Sequence, residues 1–131
     1  MEHVRDYLVT KHQSLGDNYT CVDDRRYAES CILIAGEVAQ LLLAQGLEPR
    51  IVIFSPRLDT ERWPESLRPL PYRKNRVRWG AHAVCCAGDM VFDPMLGEPV
   101  SLADYPRRAF GTDVSMKLVV PPEKMRDYLA R

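Results

Sequence analysis

The chain predicts an α+β domain in which one central, buried helix packs on an antiparallel sheet. Three observations lead there. Residues 31–45 form a long apolar helical stretch, the pair 77–86 and 90–92 reads as a β-hairpin, and short helices flank the strands instead of alternating with them. With 131 residues, the length suits a single domain spanning 1–131. The composition, 46% hydrophobic and 27% charged, is that of an ordinary soluble globule able to bury a core without a metal or disulfide staple.

Val4, Tyr7, Leu8 and Lys11 share one face of a helix over residues 2–13, closed by Gly16, Asp17 and Asn18. Residues 17–29 are polar, with a short helical turn through Asp24–Ala28. The strongest helix follows. Ser30 stands at the N-cap position, Cys31 to Gln45 form the body, and Gly46 supplies the left-handed residue that ends it. Ile32, Leu33, Ile34, Ala35, Val38, Ala39, Leu41, Leu42 and Leu43 cover most of its circumference, so it belongs in the middle of the domain.

Arg50–Phe54 reads as a β-branched strand. Residues 55–75 carry Pro56, Pro64, Pro69, Pro71 and Trp63 with no usable period. Such a segment is either a lid or binding loop, or a solvated excursion around a sheet edge. Val77–Cys86 and Met90–Phe92 flank the turn Ala87-Gly88-Asp89. Pro94 and Pro99 stop extension, and Ser101 with Asp104 opens a short helix ending near Phe110-Gly111. Val114–Val120 is the last strand, and Pro121-Pro122-Glu123 starts a C-terminal helix.

Lys+Arg and Asp+Glu balance at 18 each, without the basic excess that phosphate tracking requires, so a nucleic-acid partner is not expected. The apolar stretch Cys31–Leu43 is interrupted by Gly36, Glu37 and Gln40 and is too short to cross a bilayer. Glu2, His3, Arg5 and Asp6 stand where the apolar part of a signal peptide would lie. Action in the cytosol, natively or after delivery into a target cell, is the expectation. Arg73, Lys74, Arg76 and Arg78 form a local basic run, either a solvated edge or a contact for an acidic partner.

Of the four cysteines, Cys21, Cys85 and Cys86 read as reduced, small buried hydrophobes. Cys31 differs. It sits in the first turn of the central helix, where unpaired N–H groups and the positive end of the dipole favour a thiolate and can donate to an oxyanion. An even hairpin loop, Ala87-Gly88 or Cys86–Asp89, sets His82 directly opposite Asp93 with Cβ atoms about 5 Å apart. Cys31, His82 and Asp93 then have the residue types of a triad: a thiolate nucleophile, a base to activate it, and a carboxylate to orient that base. No metal or cofactor is expected: His3, His12 and His82 do not combine with acidic residues at ligand spacing, and His82-x-x-Cys85 lacks further partners. By strand alternation Trp79 points away from the His82 face and reads as core, unless a bulge at Gly80 turns it.

The stretch CILIAGEVAQLLLAQGLEPR (31–50) resembles the nucleophile helix of transglutaminase-like proteins. WGAHAVCCAGDMVFDPM (79–95) is similar to their His strand, tight hairpin and Asp-Pro. Asp93-Pro94-Met95-Leu96-Gly97, leading to Pro99 and Tyr105, looks most like the papain-fold toxin and effector domains that deamidate glutamine. The resemblance implies a papain-like core and hydrolysis of glutamine side-chain amides on a target protein through a thioester on Cys31. A toxin of this kind would be countered by an immunity protein. Asn18, Arg25 and Tyr27 are the upstream side chains available as oxyanion donors. Proteolysis or transamidation on the same triad, and a non-catalytic binding module retaining the fold, are the other expectations.

Overall fold

The computed structural model describes residues 1–16, 18–21, 29–55, 66–75, 77–111 and 115–119. The first helix, α1, runs Glu2–Leu15 and buries Val4, Leu8 and Leu15. The second, α2, runs Cys31–Ala44. The N–H of Gly46 bonds the Leu43 carbonyl and that of Leu47 the Leu42 carbonyl, the paired bonds of a glycine-terminated helix end. Ser30 takes the extended backbone of an N-cap residue but makes no side-chain cap bond. The expected turn at 24–28 and the C-terminal helix from Pro121 lie outside the described residues, as do 56–65 of the proline-rich segment.

Five strands form one antiparallel sheet in the order β4-β3-β2-β1-β5, with β1 Arg50–Ser55, β2 His82–Ala87, β3 Met90–Phe92, β4 Val100–Ser101 and β5 Ser115–Val119. The third helix, α3, spans Tyr105–Phe110 after the turn in which Ser101 and Asp104 bond each other. The α+β class is therefore as the sequence predicts. Helix α2 lies on β2 and β1, and α1 backs onto α2, where the Tyr7 hydroxyl donates to the Glu37 carboxylate.

Helix α2 is not enclosed on all sides. Ile34, Ala35, Val38, Ala39 and Leu42 are buried, whereas Ile32, Leu33 and Leu41 are half-buried and Leu43 is exposed. The helical period decides which apolar residues reach the sheet, even in a stretch that is apolar throughout. In the described part of the proline-rich segment, Leu67 pairs with Trp79 as an isolated bridge, and Leu70–Asn75 forms a 3-10 stretch kinked at Tyr72. No helix among the described residues is long and apolar enough to cross a membrane.

The hairpin register differs from expectation. Cys85 faces Phe92, Cys86 faces Val91 and Ala87 faces Met90, so the loop is Gly88-Asp89. Gly88 has φ 58°, the positive value that the first central position of a two-residue hairpin turn requires. Continued one step, this register sets Asp93 level with Val84, two residues from His82. A two-residue shift preserves the face of the sheet, so His82 and Asp93 form a diagonal pair and not a directly opposed one.

Candidate active site

His82 opens the middle strand of the sheet and is fully buried. Its Nε2 lies 2.9 Å from Asp93 Oδ2. Asp93 follows β3 immediately, where Pro94 breaks the strand, and its carboxylate has two more donors. The Met95 N–H bonds Oδ1 at 3.0 Å and the Tyr105 hydroxyl bonds Oδ2. Three donors fix the carboxylate, and the carboxylate fixes the imidazole. The turn itself is held from α1: the ring N–H at Nδ1 of His12 donates to the Pro94 carbonyl at 3.0 Å.

The other imidazole nitrogen faces sulfur. Cys21 Sγ is 2.8 Å from His82 Nδ1, and Cys31 Sγ belongs to the same cluster, in which the two sulfurs and a ring nitrogen all lie within 4.8 Å of one another. The Ala83 N–H points at Cys31 Sγ across 3.4 Å. The structure thus brings Cys31, His82 and Asp93 together, and adds a fourth residue to them.

Cys21, expected among the inert cysteines, is that fourth residue. It is held there by a bridge between the residue before it and the N-cap of α2. Thr20 and Ser30 form a parallel bridge, with the Thr20 N–H on the Glu29 carbonyl and the Cys31 N–H on the Thr20 carbonyl. The second of these bonds carries another correction. The backbone N–H of Cys31 is already committed at 2.8 Å to Thr20, so it is not a free oxyanion donor. Of the upstream candidates, Asn18 is exposed, and Arg25 and Tyr27 lie outside the described residues.

Trp79 also departs from its expected place. It is buried, as a core residue should be, yet it stacks on the His82 ring with centroids 4.5 Å apart and planes 13° from parallel. The chain bends at Gly80 and β2 starts only at His82, so strand alternation does not extend back to Trp79. Tyr19 and Phe110 meet the same imidazole edge-on at 5.2 and 6.1 Å. This aromatic wall keeps water from the His82–Asp93 bond and strengthens it. No periodicity marks Tyr19, Cys21, Tyr105 or Phe110 as site residues, since each reaches the site through a turn or a tertiary contact.

The electrostatics follow from these contacts. Burial alone would lower the pKa of His82, but the charge and hydrogen bond of Asp93, with Cys31 adding to them, raise it to about 9. For Asp93, burial pushes upward and is outweighed by His82, Tyr105 and the Met95 N–H, so the carboxyl stays below its ordinary range. Two sulfurs this close cannot both ionise. The hydrogen bond from Cys21 lowers Cys31, burial opposes it, and His82 and the Ala83 N–H bring the thiol to about 5. Burial and the neighbouring Cys31 charge push Cys21 far upward. The shifts run in opposite directions and make Cys31 the more acidic of the two sulfurs. Cys85 and Cys86 are buried and free, as expected, and burial raises both.

No protein-family profile matches the chain, and comparisons with curated proteins and with solved structures give no match.

Proposed function

We propose that the chain is a papain-like cysteine hydrolase in which Cys31 attacks a carboxamide, His82 shuttles the proton and Asp93 orients His82. One observation carries the reading: a buried imidazole braced through Nε2 by a carboxylate turns its other nitrogen toward a pair of sulfurs, Cys21 at 2.8 Å and, within 4.8 Å, that of Cys31 at the first position of α2. In the first half-reaction the Cys31 sulfur adds to the amide carbon. His82 donates its Nδ1 proton to the departing nitrogen, and ammonia leaves a thioester. Water, deprotonated by the now neutral His82, cleaves the thioester to a carboxylate and restores the thiolate. Asp93 remains ionised throughout and stabilises the imidazolium whenever it forms.

The resemblance of 31–50 and 79–95 to glutamine-deamidating effector domains supports a glutamine side chain on a protein as the substrate. The test uses a blocked Gln-Gly dipeptide and unfolded casein as probes. Ammonia release with a gain of about 1 Da per site, lost in Cys31→Ala, is the expected result. Fragments would mean proteolysis, and incorporation of an added amine would mean transamidation. Ammonia release unchanged in Cys31→Ala would discard the thiol mechanism. If instead no product forms and Cys31 alkylates no faster than Cys85, the chain is a non-catalytic module.

A further inference from the structure

The hydrolytic reading leaves one group at the site without a task. Cys21 faces the same imidazole nitrogen as Cys31, and a single-thiol mechanism needs only one sulfur there. Among the described residues, Cys21, Cys31 and His82 are the one set of three His, Cys, Asp or Glu side chains whose ligand atoms converge closely enough for a shared ion. Their chemistry is selective: two sulfurs and one imidazole suit a thiophilic divalent cation and disfavour calcium or magnesium.

We propose that Cys21, Cys31 and His82 form a three-ligand site for Zn²⁺, with Nδ1 of His82 as its nitrogen ligand and Asp93 holding the ring from behind. The Asp93 carboxylate accepts the hydrogen bond from Nε2–H and so keeps a proton on that nitrogen, which leaves Nδ1, once deprotonated, as the ring atom that offers a lone pair toward both sulfurs. A carboxylate behind a histidine ligand is the usual support for such a site, and it is present with its own three donors. Zinc–sulfur and zinc–nitrogen bonds of about 2.3 and 2.0–2.1 Å set tetrahedral ligands roughly 3.5–3.8 Å apart. The 2.8 Å between Cys21 Sγ and Nδ1 is a hydrogen-bond distance, so the ion replaces that bond and the Cys21 side chain moves outward. Cys21 is the half-buried member of the set, lies outside any helix or strand, and is the sulfur free to make that movement. Coordination displaces the Cys21 thiol proton and the Nδ1 proton to solvent, since both ligands bind only when deprotonated. Three protein ligands leave a fourth position for water or an added ligand.

The ion would occupy the Cys31 lone pair and so block nucleophilic attack. That consequence rests on the hydrolase reading; the binding itself does not. The two are separated by reading them independently in the reduced full-length chain. Co²⁺ titration should show one equivalent bound, with sulfur-to-cobalt charge-transfer absorption that Zn²⁺ abolishes by displacement. X-ray absorption at the zinc edge should show two sulfurs and at least one nitrogen. The charge-transfer band should be lost in Cys31→Ser, halved or lost in Cys21→Ser, and kept in Cys85→Ser. Asp93→Asn should weaken binding by about 10–100-fold. An oxygen-only zinc shell in the wild-type chain, absence of the cobalt band, or a band undiminished in Cys21→Ser overturns the site. Ammonia release without metal binding would sink this proposal alone, and metal binding with no ammonia release from the chelator-treated chain would sink the hydrolase alone.

Discussion

Trp79 lies face to face with His82, ring centroids 4.5 Å apart, although it is three residues upstream and outside β2. An indole face is electron-rich and favours an imidazolium beneath it, while its bulk excludes water from the His82–Asp93 bond. Trp79→Ala should cost about 3–5 kcal/mol of unfolding free energy, as removal of a large buried aromatic does. It should also slow alkylation of Cys31 at neutral pH. Trp79→Phe keeps a ring over the imidazole and should lose clearly less of both. Denaturant midpoints and mass-resolved iodoacetamide labelling measure the two effects, and an unimpaired Cys31 in Trp79→Ala would show that the stack has no part in the site.

The pH dependence follows from the direction of two shifts. Cys31 is lowered, to about 5, so its labelling rate in chelator-treated protein should rise with pH around that value and not around the ordinary thiol range near 8.5. His82 is raised, to about 9, and hydrolysis needs its proton for the leaving ammonia. Turnover should therefore describe a bell with its limbs near about 5 and about 9. Cys86, pushed up to about 11, and Cys85, pushed higher, should stay unlabelled across that range. A Cys31 limb near 8.5 would remove the thiolate–imidazolium pair.

What the sequence made legible was the part governed by period and parity. The α2 boundaries, the β1 strand and the shared face of His82 and Asp93 all rest on repeats of 3.6 or 2, which a linear reading can count. The hairpin register was misplaced by two residues because Ala87-Gly88 and Gly88-Asp89 are both acceptable two-residue loops. The error left the pair on one face because both loops have even length. Cys21 and Trp79 lay beyond such counting. The first is delivered by the Thr20–Ser30 bridge and the second by the bend at Gly80, and neither leaves a periodic trace.

The turn that carries Asp93 predicts its own sensitivity. Gly97 has φ 73°, and a Cβ added there would meet the His12 ring at 3.2 Å, the same ring that holds the Pro94 carbonyl. Gly97→Ala should therefore act twice, through a left-handed backbone that costs an L-residue about 1–2 kcal/mol and through displacement of His12. A lowered thermal midpoint with slower Cys31 alkylation is expected. A Gly97→Ala chain as stable as wild type would mean that the turn relaxes without strain.

Tyr105 tests the anchoring of the carboxylate with the smallest change of shape. Its buried hydroxyl donates to Asp93 Oδ2, the oxygen that also accepts from His82. Tyr105→Phe removes one hydrogen bond to a charged group, and about 1.5–3 kcal/mol of stability should go with it at neutral pH. The sign of the pH dependence is fixed by Asp93, whose folded pKa is depressed. Stability from a depressed carboxylate is present above the unfolded value of about 3.9 and fades as pH falls toward the folded one. Without the Tyr105 donor the folded pKa rises toward the unfolded value, so less stability remains to be lost on acidification. The gap between wild type and Tyr105→Phe should be widest near pH 7 and narrow below pH ~4. Denaturant unfolding at a series of pH values measures it, and a gap that stays constant down to acid would mean that the hydroxyl supports packing and not the charge on Asp93.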